Sequence, residues 1–201
     1  MDHSKSIMPV SRINALSDGV FAVAMTLLVV NLSIPENIRL TDTQLHVVLM
    51  NQAQKFSNYV ISFLLTAVFW ITHHRQHHYI KRTDTIHLWI NIFILMFVVL
   101  VPFSTSLVGD YGGSTTAEVF FAGNMMMIAV LFRANWLYAT KKGRLIEPDA
   151  DQEKIQDGMQ RSSLFIAVCF LAFILSLLIP RWSSLTYLLF PIGVYLRRFK
   201  R

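Results

Sequence analysis

The sequence predicts an all-α, polytopic membrane protein with six transmembrane helices, and three observations carry that prediction. Of 201 residues, 54% are hydrophobic and 15% charged, with a mean hydropathy of +0.47, whereas a soluble domain is nearer one quarter charged. The apolar residues also fall into long runs, the first of which, Ala15 to Ile34, holds 20 residues with Asp18 as its one formal charge. At 1.5 Å rise per residue such a run reaches about 30 Å, the thickness of a bilayer's hydrocarbon core. Finally, the net charge of +6 is gathered in the connections between runs. That distribution argues against nucleic acid and for a membrane.

The elements follow in order. The first span covers about residues 14–34, is too long for a signal-peptide core, and is ended by Pro35. Residues 36–55 read as a polar connection, and the second span, 56–72, carries Ser57, Asn58, Ser62 and Thr66 at positions suited to helix packing. A dense polar loop with four histidines precedes the third span at 86–107. The glycine-rich stretch Val108 to Glu118 is a tight turn, and GDYGG within it lacks the threonine and valine of a TVGYG filter. The fourth span covers 117–138, and residues 139–160 form the one substantial polar segment. Spans at 162–179 and 182–199 complete the set, the last kinked at Pro191, and all of 1–201 reads as a single transmembrane domain. One cysteine, Cys169, lies in an apolar run, so no internal disulfide can form.

Lys and Arg set the orientation. The N-terminus, the 73–85 loop, the 139–161 loop and the C-terminus hold fourteen of them, and the opposite side holds Arg39, Lys55 and Arg181. Both termini are expected in the cytoplasm of a cell whose plasma membrane holds the protein. Trp70, Trp89 and Trp136 then fall at the cytoplasmic interface.

The first span is more than a generic one. Wound at 100° per residue, Leu16, Gly19, Val20, Val23, Thr26, Leu27, Val30 and Ile34 lie within about 60° of Val23, whereas Asp18 lies about 140° away. One face is expected to pack a buried acid against protein while the other presents aliphatic rings with a single hydroxyl, from Thr26. Charge in or near hydrocarbon costs on the order of 3 kcal/mol, so Arg12 and Asp18 need partners, and six positions of separation forbid their pairing on one helix surface. His77 and Asp84 are the nearest candidates by topology.

Arg12-x-x-x-Leu16-Ser17-Asp18-Gly19, running into VFAVAMTLLVV, resembles the Arg-x-x-x-Phe-Ser-Asp signature that opens the first helix of the lysosomal potassium channel family. Trp70-Ile-Thr-His73-His74-Arg75, Asp84, Asn91 and Pro102-Phe103-Ser104-Thr105-Ser106-Leu107, with Gly109-Asp110-Tyr111 after it, are similar to that family's second and third helices. The likeness covers about residues 10–111, with Leu16 standing where the family has Phe. It implies a homotetramer conducting potassium along an axis lined by the first helix. Arg12, Ser17 and Asp18 would then lock that helix to its neighbours and to the adjacent subunit, rather than touch ions. A single six-span unit cannot readily enclose a symmetric pore, so four copies around an axis are also the geometric expectation. Val23, Leu27 and Val30 would form successive apolar constrictions, and such a neck favours the ion that sheds water most cheaply. Among the alkali ions of the cell that ion is potassium. Thr26 would support selectivity with its hydroxyl, at the family's conserved threonine position. Relatives carry Ile or Leu in place of Val23, so a slightly wider neck and modest selectivity over sodium are expected. The expected partners are therefore potassium ions, membrane lipid and further copies of the chain.

The rival chemistry is metal binding. His73, His74, His77 and His78 form two i, i+4 pairs that a helix would stack. A secondary transporter of a cation or divalent metal would use that cluster. No HExxH glutamate or cysteine supports it, so the preferred reading is interfacial histidines bonded to Asp18, Asp84 or headgroups. Asn31, Asn91, Asn124 and Asn135 read as glue between helices. No Walker loop, GxSxG elbow or intramembrane carboxylate pair is present, so neither an enzyme nor a cofactor is expected.

Overall fold

The computed structural model describes residues 9–32, 40–147 and 151–190. Its helices are α1 (Val10–Val30), α2 (Asp42–Asn51), α3 (Ala53–Tyr79), α4 (Thr85–Val99), α5 (Val101–Asp110), α6 (Thr115–Thr140), α7 (Gln152–Leu178) and the single turn α8 (Pro180–Ser183). Five segments are long and apolar enough to cross a membrane: α1, α3, Thr85–Asp110, Thr115–Gly143 and α7. The chain is thus an all-helical, multi-pass membrane protein.

Several boundaries differ from the sequence expectation, each for a local reason. The polar connection at 36–55 contains α2, because Thr41 and Gln44 form a reciprocal capping box that satisfies its first amides. The histidine-rich stretch is not a loop up to Tyr79: α3 continues through all four histidines and ends at Ile80, where the chain turns extended. The third span is two helices, since Pro102 in the first turn of α5 cannot donate to the ladder. The polar segment after α6 is short, because α7 begins at Gln152 with Asp151 accepting the amide of Glu153 at 3.0 Å. Tyr111 to Ser114 make the expected turn, with Gly113 at φ 83°. The expected sixth span begins within α8, followed by a 3-10 turn, Ser184–Leu188; beyond residue 190 it lies outside the described residues, as do Lys5, Ile34, Pro35, Arg39, Pro191 and the basic C-terminus.

Inside the bundle, α1 packs on α3, α4 and α5, whereas α7 packs chiefly on α6. The core centres on Phe69, stacked on Phe132 at 5.9 Å and edge-on to Phe165 at 5.2 Å. Below it a short antiparallel bridge joins Ile80 to Ile146, tying the end of α3 to the segment after α6. Because lipid is as apolar as these side chains, close packing and hydrogen bonds rather than water exclusion must hold the helices together. The approach of α6 to α7 depends on Gly158, where an added Cβ would lie 2.9 Å from the Trp136 ring. Gly158→Ala is therefore expected to lower the melting temperature of the purified protein, by about 1–3 kcal/mol of stability. Gly123→Ala, where nothing lies within 4 Å, should be neutral or slightly stabilising in the same thermal unfolding measurement.

Candidate functional site

The sequence of α1 divides its surface cleanly. Ile13, Ser17, Phe21, Ala24 and Leu28 are buried against the other helices. On the opposite side Leu16, Val23, Leu27 and Val30 are 54%, 56%, 44% and 68% exposed. The predicted stripe is therefore an open, apolar face of the single chain. Thr26 lies on it, also exposed, with its hydroxyl hydrogen donated to the Val23 carbonyl at 2.8 Å. That bond leaves the lone pairs of Oγ1 unspent, so the group turns an oxygen acceptor outward.

Behind this face runs a polar seam through the apolar bundle. His73 Nε2 lies 3.2 Å from Ser17 Oγ and 3.2 Å from Asn91 Oδ1. The Asn91 carbonyl oxygen can only accept, so Nε2 carries the proton and donates. Asn91 Nδ2 in turn donates one hydrogen to Asn135 Oδ1 at 3.2 Å and shares the other between the carbonyl and ring Nε2 of His87 at 2.8 and 3.2 Å. With its Nε2 accepting, His87 presents its Nδ1 hydrogen to Thr83 Oγ1 at 2.8 Å. Asn135 Nδ2 donates to Gln76 Oε1 at 2.9 Å, and Gln76 Nε2 to the Phe132 carbonyl at 3.1 Å. Every link has one sense, from α3 through α4 to α6 and back, and every member is buried. The arrangement positions α1 through Ser17 and leaves its opposite face free.

The residues expected to pair around the signature separate into different roles. Asp18 is not buried: about 100° from the middle of the buried stripe, it sits at the exposed shoulder of α1 and accepts the Trp70 indole N–H at 2.8 Å. It does not pair with His77 or Asp84. Arg12 is exposed and forms no ion pair among the described residues. Asp84 caps α4, accepting the His87 amide at 2.9 Å, and takes the Tyr138 hydroxyl hydrogen at 2.6 Å, so it ties α4 to α6 rather than to α1. His77 lies flat on His73 with ring centroids 3.9 Å apart, its Nδ1 against the His73 carbonyl at 3.0 Å.

The four-histidine cluster is split by the helix that carries it. His73 and His77 face the core and His74 and His78 face outward, so the i, i+4 pairs diverge. No group of three or more potential metal ligands converges among the described residues. The predicted asparagine glue is present: Asn31 Nδ2 donates to the Pro102 carbonyl at 2.9 Å and Asn124 Nδ2 to Ser104 Oγ at 3.2 Å, besides the Asn91 to Asn135 bond. The sequence reading missed His87, Gln76 and Tyr138. A signal for His87 existed, in its placement three residues after the capping Asp84 and one turn before Asn91.

The endosomal/lysosomal potassium channel TMEM175 family profile matches residues 12–102, the stretch holding α1 and most of the seam. A potassium channel of Streptomyces collinus is 33% identical over 70% of this chain and 69% of its own length. One of Chamaesiphon minutus is 32% identical over 86% of each. The crystal structure of a lysosomal potassium-selective channel TMEM175 homologue from Chamaesiphon minutus superposes with a TM-score of 0.81 at 28% identity, covering 94% of this chain and 97% of that one. These likenesses define a family of ion channels. The chain belongs to the TMEM175 potassium channel family.

Asn91 is the seam's branch point, so its loss strands His73, His87 and Asn135 together. Asn91→Leu is expected to destabilise the purified protein by about 2–3 kcal/mol, against about 1 kcal/mol for Asn31→Ala, which strands one carbonyl. Thermal unfolding of both variants in one detergent checks the ranking.

Proposed function

We propose that four copies of the chain surround an axis in the plasma membrane, each contributing α1, and conduct potassium with modest selectivity over sodium. Val23, Leu27 and Val30 form successive hydrophobic constrictions, with Val23 nearest the cytoplasm, and Thr26 supplies four hydroxyl oxygens beside them. The supporting observation is the two-sidedness of α1: its buried face is bonded through Ser17 into the seam, while Leu16, Val23, Leu27 and Val30 on its aliphatic face stay exposed among the described residues. A seam of fixed bond directions would hold each α1 in one rotation about its axis, as a neck of defined radius requires. Potassium crosses such a neck more readily than sodium because it gives up water at lower cost, and dewetting of the same rings would close it. The Thr26 hydroxyl, its hydrogen already committed to Val23, would face the ion as an acceptor. The whole of 1–201 acts as one six-span channel domain in this reading, with both termini cytoplasmic.

Two substitutions test the neck. In planar bilayers Val23→Ile is expected to raise the potassium-to-sodium permeability ratio at least about twofold by narrowing the first ring, and Thr26→Ala to lower it by a similar factor. An unchanged ratio in both variants would remove α1 from the conduction path, and a monomeric species by size and mass would remove the axis.

A further inference from the structure

Arg133 carries a full charge into a membrane-spanning helix and forms no ion pair among the described residues. It lies seven residues before the end of α6, about 10 Å in from that end, and one turn deeper than Trp136. Its Nη1 is bound to α7, sharing its two hydrogens among the Met159 carbonyl at 2.7 Å, Ser163 Oγ at 2.7 Å and Ser162 Oγ at 3.2 Å. Both serine hydroxyls in turn donate to the same Met159 carbonyl at 2.9 Å, so neither can neutralise the cation. The three ion pairs among the described residues involve Lys55, Lys154 and Arg161, not Arg133. The Met159 carbonyl and the two hydroxyls are neutral partners, and the ion pairs of the described residues bring Arg133 no counter-charge.

Nη1 anchors the guanidinium, and among the described residues the Nε and Nη2 edge meets no acceptor. That edge presents two parallel N–H groups, the fork that receives two oxygens of one phosphate. The side chain is partly exposed beside the exposed Ser163, in the shallow surface cleft where the packed α6 and α7 meet. Further into the bilayer the same side is apolar, with Val130 on α6 and Phe170 on α7 exposed. Toward the helix ends, Lys141, Lys142 and Arg144 follow α6 directly. Because α7 packs chiefly on α6 while α1 packs on α3, α4 and α5, the cleft faces away from α1.

We propose that this cleft binds the phosphate of an anionic phospholipid, with Arg133 as its bidentate anchor, the exposed serine at its mouth and the acyl chains along Val130 and Phe170. The charge balance selects a net-negative lipid: a zwitterionic headgroup would bring its own cation beside an already basic segment. The site is independent of the conduction path proposed above, since it needs only that α6 and α7 lie in a bilayer.

Native mass spectrometry of the full-length assembly, titrated with phosphatidylglycerol or phosphatidylcholine, provides the test. The wild-type protein is expected to retain phosphatidylglycerol at least about fivefold more tightly than phosphatidylcholine, and Arg133→Gln to lose about tenfold in phosphatidylglycerol affinity. Arg133→Lys, which keeps the charge but not the fork, should fall between them. Ser163→Leu, at an exposed position that tolerates the change, should block the mouth and weaken binding even if Arg133→Gln fails to fold. Equal affinity for the two lipids, or undiminished phosphatidylglycerol binding in Ser163→Leu and Arg133→Gln, overturns the site. So does a loss in Lys142→Gln as large as in Arg133→Gln, which would mean diffuse attraction. Displacement of the lipid by equimolar inorganic phosphate would reassign the cleft to a soluble anion.

Discussion

A polar group inside hydrocarbon has no water to fall back on, and that constraint organises this molecule. Ser17, His73, Gln76, His87, Asn91 and Asn135 are buried where an unmet hydrogen bond costs several kcal/mol. They find most of their partners in one another across α1, α3, α4 and α6, so four helices must hold one mutual arrangement. The aliphatic residues around them impose no such uniqueness, because a leucine packs almost as well on lipid as on a neighbouring helix. Register and rotation of the bundle therefore reside in a few amides and imidazoles.

The seam also accounts for the two faces of α1. Ser17 hydrogen-bonds to His73, and Phe21, one turn on, tilts over the same imidazole with centroids 6.0 Å apart. Further along, Asn31 just past the helix end bonds to the Pro102 carbonyl. That carbonyl sits in the first turn of α5, where the proline has already interrupted the third span. The helix is thus held at both ends of its buried face, and its aliphatic stripe is left for lipid or for other copies. Asp18 belongs to neither face. Its bond to Trp70 lies at the shoulder between α1 and α3.

The other end of the bundle is secured differently. Glu118, buried at the start of α6, accepts hydroxyl hydrogens from Ser183 and Ser184 at 2.8 and 3.0 Å, fastening the turn after α7 onto α6. Lys55 and Asp110, partly exposed and 2.5 Å apart, join α3 to α5. An exposed pair of this kind contributes little stability compared with the buried carboxylate and its two donors. Firm polar fastening thus exists at both ends of α6, but on different partners.

Hydropathy alone was enough for membrane residence, five of the spans and the open stripe on α1, because hydrocarbon thickness and helical pitch act on composition and spacing directly. The family was legible too, in Arg12, Ser17, Asp18 and the residues that echo the second and third helices. Helix limits were less so: the capping box at Thr41, the continuation of α3 through its histidines and the early start of α7 hinge on single local bonds that periodicity does not register. The partners of the signature were decided only in three dimensions. Topology suggested His77 and Asp84 as partners for Arg12 and Asp18, but α3 turns His73 toward Ser17 and brings Trp70 to Asp18, while Asp84 is spent on capping α4 and on Tyr138. A sequence fixes which groups need a partner; the rotation of each helix about its axis, set by all the others at once, decides which partner each one finds.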